Sequence, residues 1–226
     1  MANNVLKVNG IAIADIAKIN GETDDDIAKL NGEEFAGVTD AHTLISTHTA
    51  SASATLDITS GIDSTYDVYE FIYTNIHPAT DDTHFQFQVE TGSDSDYNHP
   101  MITTYFQAYN AESGGTPTLA YSGGNDQATS GDGNGVFQNI AKEMGGGSGN
   151  DDEAASGILT LYDPSNTTYV KHFTSTSNCY QGGNTSMQAL VAGYINTTTA
   201  ITRVRFKMSS GNIDEGVIKM YGLAKS

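Results

Sequence analysis

From about Ala41 onward, apolar and polar residues alternate with a period of two, as in strands that bury one face. Between Tyr66 and Ile76 the pattern sets Tyr66, Val68, Ile72 and Ile76 against Tyr69, Phe71 and Tyr73. Thr83–Glu90 alternates plainly and points Phe85, Phe87 and Val89 inward, after a turn at Pro78 and Asp81-Asp82. Ser53–Ile58, Met101–Tyr109, Ile158–Tyr162, Tyr169–Phe173 and Met187–Ile195 read as further strands, with a short apolar island at Leu119–Tyr121. Ile201–Met208 and Val217–Leu223 read as a hairpin-like pair around the Ser209–Gly216 loop, while Ser113–Gly135 and Gly145–Glu153 read as long loops. About ten short strands without a sizeable amphipathic helix predict an all-β fold. The expected architecture over residues 40–226 is an antiparallel β-sandwich of jelly-roll type.

Residues 1–35 follow another rule. Val5-Leu-Lys-Val-Asn-Gly10 recurs as Ile16-Ala-Lys-Ile-Asn-Gly21 and again as Ile27-Ala-Lys-Leu-Asn-Gly32, a step of 11 residues. Two conformations suit it. Asp15 and Asp26 can cap short helical turns that end at Gly21 and Gly32, the favoured reading. Short strands joined by Asn-Gly turns are the other. Each copy carries two or three apolar residues, too few to offset an ordering entropy of about 1–2 kcal/mol per residue. The segment therefore needs copies of itself or a partner surface. Val5, Lys7, Val8, Ile16, Lys18, Ile19, Ile27, Lys29 and Leu30 are its candidate docking or oligomerisation residues.

Charge narrows the partners. Net charge is −17, and no Lys or Arg occurs between Leu30 and Ala141, where 15 acidic residues fall. Such a surface repels nucleic acid and anionic membranes, so neither is an expected partner. No run of 18 apolar residues provides a membrane span. Cys179 is the only cysteine, and the opening Met1–Lys7 stretch lacks a secretory apolar run, so synthesis in a reducing cytoplasm is expected.

Little catalytic chemistry is visible. There is no Gly-x-Ser-x-Gly elbow and no Walker lysine, and Gly131–Gly135 opens no helix. No cofactor and no catalytic residue are expected. His42 and His48 stand six apart, which on a regular strand places them on one face, but no zinc motif accompanies them. Asp24–Asp26, Asp94/Asp96 and Asp151–Glu153 offer oxygen ligands without EF-hand spacing. Tyr97, Tyr105, Tyr109 and Tyr121 fall in or near the long loops and are candidate platforms for a sugar ring.

Three stretches together resemble virion structural proteins of tailed bacteriophages, marine ones in particular. They are the Lys-Ile-Asn-Gly repeat leader, Tyr66–Asp81 with the Phe-Gln-Phe-Gln-Val strand after it, and Ala200–Phe206 with Ser210–Asn212 and Gly216–Leu223. The resemblance implies a non-enzymatic appendage in the virion: a head decoration or head fibre, or a tail-fibre or collar component. It implies other virion proteins as partners and a homo-oligomer, with a trimer as the analogy. The alternative expectation is a receptor- or carbohydrate-binding adhesin with a host-surface glycan as ligand.

Overall fold

The structure, a computed structural model, describes residues 7–8, 11–12, 18–19, 22–23, 29–30, 33–34, 42–92, 96–128, 136–145 and 152–223. The chain divides into two units, Met1–Ala41 and His42–Ser226.

The described part of the first unit is a series of minimal antiparallel hairpins. Strand β1 (Lys7–Val8) pairs with β2 (Ile11–Ala12), β3 (Lys18–Ile19) with β4 (Glu22–Thr23), and β5 (Lys29–Leu30) with β6 (Glu33–Glu34). In sequence the two residues between each pair are Asn-Gly, the dipeptide that suits a two-residue hairpin loop. The favoured helical turns are thus corrected: Lys18–Ile19 and Lys29–Leu30 are strands, because turn chemistry at each Asn-Gly outweighs the weak i, i+3 apolar pairing. The proposed caps Asp15 and Asp26 lie outside the described residues.

The second unit contains β7 (His42–Ser53), β8 (Leu56–Ile58), β9 (Val68–Pro78), β10 (Thr83–Glu90), β11 (Met101–Ala111) and β12 (Thr118–Tyr121). It continues with β13 (Gln138–Met144), β14 (Ala155–Tyr162), β15 (Lys171–Gln181), β16 (Thr185–Ile195), β17 (Arg203–Met208) and β18 (Ile213–Leu223). All pairings are antiparallel, and no described residue is helical. One sheet runs β7-β18-β9-β14-β15-β16-β11-β12, and the second runs β8-β17-β10-β13. Met144 pairs with Gln181 and joins the two at one corner. The chain crosses between sheets at each step of β7–β8–β9–β10–β11, of β12–β13–β14 and of β16–β17–β18. Strands β7-β18-β9-β14 facing β8-β17-β10-β13 are the eight strands and two Greek keys of a jelly roll. The hairpins β11–β12 and β15–β16 widen one sheet only.

The core lies between the sheets. Phe85, Phe87 and Val89 are fully buried, as their alternation predicts. Phe206 of β17 stacks with Phe85 at 5.7 Å and reaches across to Phe71 at 5.8 Å, while Phe87 meets Phe173 edge-on at 4.9 Å. Such pairs add about 0.5–1.5 kcal/mol each beyond area burial.

Four strand readings need correction. Ile201–Met208 and Val217–Leu223 are not a hairpin: β17 and β18 sit in opposite sheets, so each buries its apolar side against the other layer. Strands β7 and β13 carry few large apolar residues and escape the periodic pattern. β15 continues to Gln181, since Ser175, Ser177 and Cys179 occupy its inward positions. Ile76 is buried beside Tyr69, Phe71 and Tyr73 rather than opposite them. A bulge at Thr74–Asn75 inserts a residue and inverts the facing.

Candidate functional site: a polar groove across the wide sheet

The outer face of the eight-stranded sheet carries a continuous register row. Thr49 pairs with Val217, and Val217 with Thr74; Ser156 pairs with Asn178, Asn178 with Gln188, Gln188 with Ala108 and Ala108 with Leu119. Asn75 closes the row, its backbone N–H donating to Ser156 Oγ at 3.0 Å. This row touches all eight strands.

Three cavities lie along it and share residues. One of about 570 Å³ is bounded by Asn75, Asn110, Ser156, Asn178, Tyr180 and Ser186. A second of about 900 Å³ continues from Asn75 past Thr74, Val217 and Lys219 to Thr49. A third of about 410 Å³ shares Asn110, Asn178 and Ser186 and ends at Tyr109, Pro117 and Leu119. Together they form one shallow groove transverse to the strands.

The backbone around Asn75 is unusual. Asn75 is left-handed, with φ of 52°, at the bulge. Asparagine tolerates that region better than most residues, yet it is uncommon inside a strand. Gly216 opposes it with φ of 128°, and a Cβ there would lie 2.7 Å from the Asn75 carbonyl oxygen. Bulges re-aim side chains, and this one sits where two cavities meet.

The groove is acidic. Among the described residues, Glu112, Asp152, Asp214 and Glu215 border it, against one lysine, Lys219. At the Glu112 end, desolvation and then the carboxylates of Glu112, Glu153 and Asp152 push the Tyr180 phenol up. Glu153 is buried, with its Oε2 finding no hydrogen-bond partner among the described residues. Burial first, and then Asp81 and Asp152, raise its carboxyl. Asn178 is held by donating from Nδ2 to Ser186 Oγ and to the Met187 carbonyl, both at 3.1 Å. The lining therefore offers amides and hydroxyls, which donate and accept hydrogen bonds, beside aromatic and small apolar surfaces.

The tyrosines singled out by sequence do not act together. Tyr97 is 1 % exposed and Tyr105 0 %, so neither has a face for a ligand. Arg205 covers the Tyr97 ring at 4.0 Å while forming a fork with Asp57 at 2.7 and 2.6 Å. The backbone N–H of Tyr97 is fixed by Glu90 at 2.9 Å. Tyr105 points between the sheets. Tyr109 is 36 % exposed but takes the inward parity of β11, opposite buried Met187, so only its backbone borders the groove; Tyr121 is 50 % exposed beside Phe106, edge-on at 5.2 Å.

His42 and His48 are also separated. A bulge at Ile45 shifts the β7 register between Leu44 and Ser46, so His42 faces outward to Glu70 Oε2 at 3.0 Å and His48 faces inward. Among the described residues, no three His, Cys, Asp or Glu side chains converge as a metal-ligand set. Asp24–Asp26, Asp94, Asp151 and Gly131–Gly135 lie outside the described residues. So do Val5, Ile16 and Ile27, whereas Lys7–Val8, Lys18–Ile19 and Lys29–Leu30 each form the first strand of a hairpin.

Asn75, Asn110, Asn178, Ser186 and Gln188 went unnoticed in the sequence. The polar alternation Thr174, Thr176, Asn178 on β15 is visible there; its alignment with β9, β16 and β11 is not. Comparison of the chain with family models, with curated proteins and with solved structures returns no match.

Proposed function

We propose that the chain is a non-enzymatic appendage subunit of a bacteriophage particle, a head decoration or head fibre or a tail-fibre or collar component. Residues 1–35 dock it, to its own copies or to other virion proteins, and the jelly roll is displayed. The observation that carries this reading is the pairing of an 11-residue repeat of two-residue hairpins with a domain that has a large core of its own. A lone hairpin is marginal in water, so three minimal ones gain order by engaging a surface. The three phage-like stretches supply the identity of that surface. A net charge of −17 suits a subunit crowded at high copy number, because like-charged exteriors repel.

The test is a phage that encodes the chain without residues 1–35. Mass spectrometry of purified particles should find the truncated chain absent, while it accumulates in the lysate as a soluble β protein. Incorporation at the full-length level overturns the docking role. Immunogold microscopy of intact wild-type particles separates head from tail or collar, and particles without label overturn the virion assignment.

A further inference from the structure

We infer that the transverse groove is a binding site for a neutral, extended oligosaccharide. This goes beyond the appendage reading and does not rest on it. It moves the adhesin expectation from the loop tyrosines to a sheet face.

Four features select that ligand class. The first is shape. The register row crosses eight strands, about 34 Å at the ~4.8 Å spacing of paired strands, so the groove fits a chain rather than a single ring. The second is hydrogen bonding. Backbone groups along the row are engaged in the sheet, so an added peptide strand finds no ladder to extend there. What remains are the side chains of Asn75, Asn110, Asn178, Ser156, Ser186 and Gln188, which match a ligand dense in hydroxyls. The third is stacking surface: Tyr180 lies at the middle cavity, and Pro117 with Leu119 at one end. The fourth is charge. Among the described residues, four carboxylates against one lysine repel uronic acids, sialylated chains and nucleic acid, and leave uncharged sugars.

The amides and hydroxyls of the site also sit on strands rather than loops, and the left-handed Asn75 at its centre is held by Gly216 behind it and Ser156 beside it. A rigid array of this kind limits the ordering entropy lost on binding.

The experiment uses the labelled full chain on an array of neutral and anionic glycans, followed by calorimetric titration of the strongest neutral binder. Saturable binding to neutral oligosaccharides, with anionic chains excluded, is expected. Asn178→Ala should weaken it about tenfold, the scale of one or two lost hydrogen bonds. Asn75→Gly should do the same, and it keeps the left-handed backbone while deleting only the amide. Thr174→Ala, on the same face outside the groove, should bind as the parent does. Absence of every neutral glycan from the bound set, preference for anionic chains, or unchanged affinity in both asparagine variants overturns the assignment. Circular dichroism of each variant confirms that the comparison is between folded proteins.

Discussion

The two units of this chain are both built from antiparallel strands, but different forces hold them. In the repeat, each strand is two residues long and each partner lies two residues away, so local turn chemistry at Asn-Gly is the main specification. In the jelly roll, β18 of residues 213–223 pairs with β7 of residues 42–53, and Phe71 meets Phe206 across the sandwich. Those contacts form only when distant segments meet, and they bring a large apolar core with them. The contrast teaches that strand content alone says little about independence. A segment can be patterned for hairpins by its turns alone, whereas the sandwich is specified by its own interior.

That contrast can be broken at several points. The largest effect is expected from Phe206→Ala, which removes a ring in contact with Phe71, Phe85 and Phe87. Loss of such a side chain destabilises by about 3–5 kcal/mol, read in urea unfolding, with the NMR shifts of Lys18–Thr23 unchanged. Unchanged unfolding would mean that the aromatic cluster is not what holds the sheets together.

Next comes Glu90→Gln. The buried carboxylate accepts N–H donors from Thr91 at 2.7 Å, Tyr97 at 2.9 Å and Gly92 at 3.3 Å, and contacts His99 Nε2 at 3.2 Å. Burial pushes its pKa up, but these donors outweigh burial and hold it down to about 2. A depressed folded pKa stabilises above the ordinary carboxylate value and is lost as pH falls from there towards about 2. The parent should therefore lose stability across that window. The variant should lose about 1.5–3 kcal/mol at pH 7 and show a flatter acid profile. An equally steep profile in the variant would assign the acid sensitivity elsewhere.

Gly157→Ala should cost about 1–3 kcal/mol, because its Cβ would lie 2.4 Å from the Thr176 carbonyl oxygen and 2.7 Å from the Tyr73 hydroxyl. A variant as stable as the parent would show that this stretch of β14 can move. The smallest effect is expected from Gly21→Ala. It should shift the Lys18–Ile19 and Glu22–Thr23 resonances towards coil values while leaving the sandwich midpoint within about 0.5 kcal/mol. A lower midpoint would show that the sandwich depends on the repeat.

Large residues in strict alternation were readable from sequence: Thr83–Phe87 and Val68–Tyr73 follow it, whereas Gln88 and Glu90 beyond Phe87 are buried too. Legibility ends where a bulge inserts one residue, at Asn75 and at Ile45, because a single extra position inverts every later facing. It fails again on β15, where Ser175 and Ser177 are buried and Thr174 and Thr176 are not, a difference that side-chain polarity cannot encode. The tyrosines show the same limit: Tyr97 and Tyr105 look like Tyr109 and Tyr121 in the chain, and only Arg205 above one and the opposing sheet behind the other set them apart. The groove is less visible still. Asn75, Asn110 and Asn178 become neighbours through the register of five strands, none of which announces that register by itself.

Cys179 offers a clock. The chain carries one thiol, sealed at 1 % exposure, its Sγ donating to the Lys142 carbonyl at 3.6 Å and its pKa pushed up to about 12, chiefly by burial. A reagent that attacks thiolates finds almost none while the sandwich is shut. Modification at neutral pH should therefore keep time with openings of the β13–β15 corner. Its rate becomes a ledger of how often the shell of strands parts, readable on a single atom.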